Sequence, residues 1–126
     1  MNVFPDPRAD AVAILKAAFP LPVTVSTSVA GSTIAAPHLQ VLWDGTPSEQ
    51  SNRQVAAVAV VAFGPSGRVS DAIATAQKAK AVLLDSGTAS TWRYRPGPGP
   101  GIDTDNDTKL PRSEFTVYAE TRATVL

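Results

Sequence analysis

Four acidic side chains near the C-terminus have the spacing of a calcium-binding loop. They occupy positions one, three, five and twelve of the loop template, and they are Asp103, Asp105, Asp107 and Glu114. The template needs glycine at position six for a sharp turn, whereas this chain has Thr108 there, and no helical pattern flanks the segment. We therefore expect a solvated acidic loop, with a small α+β domain that binds calcium or another ligand as an alternative.

The segment Trp92-Arg93-Tyr94-Arg95 alternates aromatic and basic side chains, as do surfaces that bind single-stranded nucleic acids. A strand would place Trp92 and Tyr94 on one face and the two arginines on the other, which separates the stacking groups from the charges. The 11 basic and 11 acidic residues also cancel, so no overall field attracts nucleic acid. We expect a half-buried strand with an exposed basic edge and no sequence-specific nucleic-acid recognition.

The single histidine, His38, has no partner at a spacing typical of a metal site or a catalytic triad. The polar residues that could be combined with it are Ser26, Ser28, Ser32 and Asp44, but no nucleophile-elbow glycine pattern accompanies them. Residues 64–67, Gly-Pro-Ser-Gly, precede a predicted helix but lack the lysine of a phosphate-binding loop. We therefore predict no catalytic residue, no cofactor and no resident metal, hence a protein that is not an enzyme.

The composition favours one globular domain over residues 1–126. Apolar residues make up 44% of the chain, which is enough for an ordinary core. Cysteine is absent, which excludes a disulfide scaffold and thiol chemistry. No apolar run reaches the roughly 20 residues that span a bilayer, and residues 1–10 lack the basic and then apolar pattern of a signal peptide. We expect a protein of the cell interior without membrane contacts.

Two helices are predicted from start signals, apolar spacing and stop signals. Asp6 can cap a helix whose first residue is Pro7, and the apolar spacing that follows predicts a helix over about 6–18, ended by Pro20. A second helix is predicted from Ser70-Asp71 to a stop at Gly87.

Alternating and β-branched runs predict five strands, which are 23–29, 38–43, 55–63, 91–95 and 115–122. The strand over 55–63 is apolar on both faces, so we expect a helix or another subunit to cover its second face. Because proline and glycine repeat over 96–101 and acidic residues follow, residues 96–112 are predicted as a long loop outside the sheet. The predicted fold is a two-layer α+β domain in which both helices pack on one face of an antiparallel or mixed sheet of four to five strands.

The order of these elements resembles the tail terminator proteins of bacteriophages with long, non-contractile tails. The segments that carry the resemblance are Phe19-Pro20-Leu21-Pro22-Val23-Thr24-Val25, Pro37-His38-Leu39-Gln40-Val41 through Gly45, the helix with Ala72, Ala76, Ala79 and Leu83, Pro111-Arg112, and Phe115-Thr116-Val117-Tyr118. The resemblance implies a virion neck protein, made in the host cytoplasm, that forms a homo-oligomeric ring, typically six-fold. Such a ring caps the tail tube, stops its growth and presents a surface to the head. The implied partners are other copies of the chain, the tail tube protein and a head-completion or connector protein, with genomic DNA passing through the ring.

No binding residue can be carried over from that family, so the interface prediction rests on charge alone. A ring built head to tail needs two different, complementary surfaces on each subunit. We assign Arg93, Arg95 and Arg122 to one surface and Asp103, Asp105 and Asp107 to another, with residues 96–112 ordering when the ring docks. The nearest alternatives within the same class are a head-completion adaptor and a tail tube subunit.

Overall fold

The computed structural model describes residues 1–31, 33–88 and 91–125. Its elements, in chain order, are β1 (Asn2–Val3), α1 (Pro7–Ala18), β2 (Thr24–Ser26), β3 (His38–Trp43), β4 (Ser48–Glu49), β5 (Arg53–Phe63), α2 (Val69–Leu84), β6 (Thr91–Pro96), β7 (Gly101–Thr104), β8 (Pro111–Arg122) and β9 (Thr124–Val125). Over these residues the fold is α+β with two helices and a mixed sheet, which confirms the predicted class.

Local signals account for both helices. The Asp6 side chain accepts a hydrogen bond from the N–H of Arg8, and Pro7 is the first helical residue, as the start signal predicts. Helix α2 begins one residue before its predicted start and ends at Leu84, where Asp85 donates its N–H to the carbonyl of Ala81. The predicted stop at Gly87 was therefore too late.

The main sheet follows the strand order β2-β3-β5-β8-β6, with β4 added beside β5 and β7 beside β8. The pairing of β2 with β3 is parallel, and the other pairings are antiparallel. Consecutive long strands pair directly in two places, where β3 pairs with β5 and β6 pairs with β8. Since β5 and β8 pair over 11 residues, they form the centre of the sheet.

The predicted number of strands is wrong. Within the described residues the main sheet has seven strands instead of four to five, and β1 and β9 form a separate two-stranded sheet. The strands β1, β4 and β9 have two residues each, so they are too short to show alternation in the sequence. The predicted strand 23–29 is also shorter, since β2 covers Thr24–Ser26.

Both helices pack on one face of the sheet, called here the helix face. The buried side chains there include Ala11 and Leu15 of α1, Ala76, Ala79 and Leu83 of α2, Val58 and Val60 of β5, and Phe115, Val117 and Ala119 of β8. Small alanine side chains let the helix backbones approach the sheet closely. The alternate residues of β5 and β8 point to the opposite side, called here the second face.

The second face of β5 is covered differently from the prediction. Val61 and Phe63 are buried there against Ala30 and Leu110, so the connection between β2 and β3 covers this end, and neither helix does. Ala59, near the middle of the strand, is only 2% exposed. Farther along, Ala57 lines an open groove with Tyr118 of β8.

Residues 96–112 are not a loop outside the sheet. Gly101–Thr104 pairs with residues 111–114 as β7, and β8 already begins at Pro111. Between β6 and β7, Gly97 donates its N–H to the carbonyl of Thr116, and Thr116 donates its N–H to the carbonyl of Pro98. The Pro-Gly segment is therefore a kink in one long edge that stays bonded to β8.

Candidate assembly surfaces

The turn between β7 and β8 is closed by Asp105. Its N–H donates to the carbonyl of Leu110 over 2.8 Å, and its own carbonyl accepts from the N–H of Lys109 over 2.8 Å. Its carboxylate accepts hydrogen bonds of 2.8 Å from both the N–H and the hydroxyl of Thr108. The pKa of Asp105 is lowered mainly by these bonds from Thr108, and Arg112 contributes further.

Only part of the predicted acidic surface is therefore exposed. Asp105 is 8% exposed and acts within the turn, whereas Asp103 and Asp107 lie at the surface. On the neighbouring strand, Arg112 lies 2.9 Å from the carboxylate of Glu114 and 3.7 Å from that of Asp105. The exposed acidic groups of this region are Asp103, Asp107 and Glu114, of which Glu114 is paired with Arg112, and we call this region the acidic end.

The four carboxylates of the calcium-loop pattern are not brought together. Asp105 is bonded to the turn and Glu114 to Arg112, and the segment is a β-hairpin. In residues 1–31, 33–88 and 91–125, no group of three or more His, Cys, Asp or Glu side chains could hold a metal ion. The geometry gives the calcium alternative no support.

Two of the predicted interface arginines bind one buried carboxylate. The guanidinium of Arg95 lies 2.5 Å from Glu120, and that of Arg93 lies 3.5 Å from it. The Glu120 side chain is 3% exposed, whereas both arginine side chains are about half exposed, at 55% and 50%. Arg93 and Arg95 thus neutralise a buried charge and still present their outer nitrogens to solvent.

Trp92 and Tyr94 do not share a face, contrary to the prediction. The register between β6 and β8 shifts between Thr91 and Arg93, so Trp92 is the extra residue of a β-bulge. As a result Trp92 is 51% exposed and Tyr94 only 5%. The third predicted arginine, Arg122, lies over the Trp92 ring, 4.7 Å from its centre.

The arginines gather at one end of the second face. Arg53 lies directly opposite Arg122 in the ladder between β5 and β8, and Arg93 lies opposite Glu120 between β6 and β8. The residues of this region, called here the arginine end, are Arg53, Arg93, Arg95 and Arg122. The acidic end lies at the other end of β8, whose 12 residues span about 40 Å. Basic side chains therefore predominate at one end of β8 and acidic side chains at the other, where Lys109 and Arg112 offset part of the negative charge.

A partly buried contact between α1 and β6 was missed in the sequence. The Tyr94 hydroxyl donates to one carboxylate oxygen of Asp10 over 2.5 Å, and the Thr88 hydroxyl donates to the other over 2.7 Å. The pKa of Tyr94 is raised well above its ordinary value, first by burial and then by the adjacent Asp10 carboxylate. No sequence spacing indicates this pair, because the residues are 84 positions apart.

Lys80 of α2 holds the kink between β6 and β7. Its ammonium group donates to the carbonyl of Gly97 over 2.8 Å and to that of Gly99 over 2.7 Å. Both glycines are required by the close approach to β8, since an added Cβ would lie 2.7 Å from Thr116 O at Gly97 and 2.4 Å from Glu114 O at Gly99. Gly99 also has a positive φ of 94°. The kink is therefore specified by residues that lie far apart in the chain.

His38 links the connection after β2 to the sheet. Its Nδ1 lies 2.6 Å from the Thr24 hydroxyl and its Nε2 lies 2.7 Å from the carbonyl of Ser28. The hydroxyl of Ser26 bonds to the backbone of Ser28 instead of to the imidazole. Ser32, another residue considered with His38, lies outside the described residues. Asp44 follows the opposite end of β3 from His38, and its N–H donates to the carbonyl of Ala57. The described members of this set are therefore not brought together around the imidazole.

An apolar groove lies beside the free edge of β2. It has a volume of about 370 Å³ and lies between the end of α1 and β2, lined by Lys16, Phe19, Pro20, Leu21, Val23, Thr24 and Val25. Leu21, which lines this groove, is 83% exposed. A second open groove, of about 490 Å³, follows β7 and β8 at the opposite edge of the sheet.

The two grooves and the two charged ends are the surface features on which an assembly function can be built. Among the described residues, no helix is both long and apolar enough to cross a membrane. The sequence matches no protein-family model and no curated protein.

Proposed function

We propose that the chain is a tail terminator of a bacteriophage with a long, non-contractile tail. In this role it is a structural subunit of a ring, hexameric as the resemblance implies, that caps the tail tube, stops its growth and provides the surface to which the head attaches. The observation that supports this most is the separation of charge along β8, between the arginine end and the acidic end. A capping ring has two unlike ends to present, one to the tube and one to the head.

The sheet also has two unlike edges. Strand β2 lies at one edge, and the kinked line of β6 and β7 lies at the other. A ring closes when each subunit joins a surface of one kind to a different surface on its neighbour. Unlike edges on opposite sides of a subunit favour such head-to-tail contacts.

The partners in this proposal are further copies of the chain, the tail tube protein and a head-completion or connector protein. The assembled ring is part of the virion neck, and its subunits are made in the host cytoplasm. Genomic DNA passes through the ring without being read in sequence, since passage requires only a channel. The arginine end supplies the positive charge that such a channel or an acidic partner surface would contact.

Native mass spectrometry of the purified protein, alone and with tail tube subunits, tests the proposal. We expect closed rings of one size, and tubes that stop growing where a ring has bound. Long tubes formed by the protein alone would instead identify a tube subunit, and a ring that binds only the head connector would identify a head-completion adaptor. A stable monomer that does not affect tube length would refute every neck role.

A further inference from the structure

Strands β2 and β7 turn unused backbone groups outward from opposite edges of the sheet. Asp105 donates its N–H to the carbonyl of Leu110. In an antiparallel ladder the residues whose N–H and C=O bond to the partner strand alternate with residues whose groups point away from it. The N–H and C=O of Asp103 therefore point toward β8, and those of Ile102 point away from it. At the other edge, Thr24 donates its N–H to Pro37 beside β3, so the N–H and C=O of Val25 point away from β3.

The side chains of these two residues lie on the same side of the sheet. Ile102 is opposite Ser113, which is opposite Ala62 of the helix-face core. Val25 belongs to the same core. If a β7 strand were added to the β2 strand of another copy, Ile102 would therefore point toward the helix face of that copy, where the apolar groove lies.

The groove and the strand are also complementary in polarity. Ile102 is 54% exposed, so its burial in the groove would remove apolar surface from water. Apart from Lys16 on its wall and Lys78 over its Phe19 ring at 4.7 Å, the groove is lined mainly by apolar side chains. Asp103 lies opposite Arg112 and so points to the second face, which keeps its carboxylate out of the groove. The match is therefore between the apolar side chain of Ile102 and an apolar groove.

Few residues along the edge formed by β6 and β7 can exchange backbone hydrogen bonds with an added strand. Pro96, Pro98 and Pro100 have no N–H to donate, and such prolines block strand addition along that part of the edge. The N–H of Thr104 is bonded to the carboxylate of Asp103. Ile102 is therefore the residue of β7 best placed to exchange backbone hydrogen bonds with a new strand.

We propose that β7 of one subunit pairs antiparallel with β2 of the next, with Ile102 opposite Val25 and its side chain in the apolar groove. This inference rests on the proposed function, for which it supplies the contact between neighbours in the ring. Because the two strands lie at opposite edges, each subunit uses both and the contact repeats head to tail.

Engineered cysteines test the register, since the chain has no cysteine of its own. With Ile102 opposite Val25, Gly101 lies opposite Ser26 in a non-hydrogen-bonded pair, whose Cα separation of about 4.5 Å suits a disulfide. An added Cβ at Gly101 meets no atom within 4 Å. Within one subunit, the four strand spacings from β2 to β7 hold these positions about 19 Å apart, so a disulfide between them joins two subunits.

Gly101→Cys and Ser26→Cys proteins are mixed, oxidised and examined on non-reducing gels. We expect a covalent dimer from the mixture and a ladder ending at the ring size from the double variant. The matched control replaces Ser26→Cys with Ser51→Cys, at an exposed serine outside the groove, and should give only background cross-linking.

The outcomes separate this inference from the proposed function. Rings seen by native mass spectrometry, with no more cross-linking from the test pair than from the control, overturn the β7–β2 contact but leave a terminator possible. A ladder that continues without limit supports the contact and refutes the terminator. A protein that stays monomeric at every soluble concentration and does not cross-link refutes both.

Discussion

The Asp10 carboxylate accepts hydrogen bonds from two different parts of the chain, Tyr94 on β6 and Thr88 after α2. It thereby joins α1 to the edge strand at a site where Tyr94 is buried and Asp10 is half-buried. The ionised form of a buried phenol would lose hydration and would lie against a negative charge. The folded state therefore favours the protonated form of Tyr94.

The Tyr94→Phe variant should alter the dependence of stability on pH. Because the folded pKa of Tyr94 is raised, its contribution is complete below the unfolded pKa of about 10 and is lost as pH rises above it. The wild-type free energy of unfolding should fall by up to about 1.4 kcal/mol per pH unit there from this group alone. Tyr94→Phe should lack that slope and be about 1–2 kcal/mol less stable at pH 8.

Urea denaturation at pH 8 and pH 11 measures the change in the free energy of unfolding with pH and the difference in stability between the two proteins. Tyr118→Phe is the matched control, since Tyr118 is half-buried on the second face of β8 and has no bond to Asp10. Equal pH slopes for wild type and Tyr94→Phe would show that the Tyr94 hydroxyl is not protected in the folded protein.

At the scale of elements, the kink between β6 and β7 determines how far the sheet edge extends. It lets one segment bond to β8 on both sides of a proline-rich break, so that β7 reaches the acidic end. The contact of Lys80 with two carbonyl groups connects this edge to α2. The position of Ile102 thus depends on a helix residue as well as on its own strand.

The Lys80→Met variant should loosen the kink without unfolding the protein. It keeps an apolar side chain of similar length but removes both hydrogen bonds to the carbonyl groups of Gly97 and Gly99. Amide hydrogen exchange at Gly97 and Thr116 should become faster by about fivefold to tenfold.

Lys78→Met is the matched control on the same helix. Lys78 contacts the Phe19 ring instead of the kink, so exchange at Gly97 and Thr116 should stay at the wild-type rate. Equal exchange rates in both variants would show that Lys80 does not stabilise the kink.

The longest elements could be predicted from the sequence, and the irregular edge could not. Residues 38–43 and the long apolar run to Phe63 have strong strand patterns, and Asp6-Pro7 is a clear helix start. The bulge at Trp92 reverses the expected faces because one extra residue shifts the alternation. Proline and glycine indicate a break, but the break is bridged by bonds to Thr116, which sequence composition does not reveal.

The candidate surfaces were predictable only in part, for a related reason. The charged residues were visible in the sequence, but burial and pairing decide which of them face a partner. Asp105 is used in the turn, and Arg93 and Arg95 share the buried Glu120. Glu120 and Arg53 were not predicted as interface residues, because their positions beside the other arginines follow from strand register alone.

At the scale of the whole molecule, the exposed apolar residues differ in what surrounds them. Val69, 44% exposed, lies at the start of α2, whereas Ile102, 54% exposed, lies on a free strand edge. An exposed apolar residue on an open edge favours association, because burial of the side chain and pairing of the backbone occur together. The two residues therefore make a matched pair for testing whether the edge, and not general surface apolarity, drives assembly.

The Ile102→Asp variant should remain folded and fail to form rings. A carboxylate in the apolar groove would be desolvated without a partner, and we expect the dissociation constant between subunits to rise by about 100-fold or more. Val69→Asp adds the same charge at a helix start, where a negative group is tolerated, and should assemble like the wild type. Native mass spectrometry across a dilution series measures ring formation by the two variants, and circular dichroism checks that each is folded. Intact rings from folded Ile102→Asp, or equal loss of rings in both variants, would contradict an interface centred on the β7 edge.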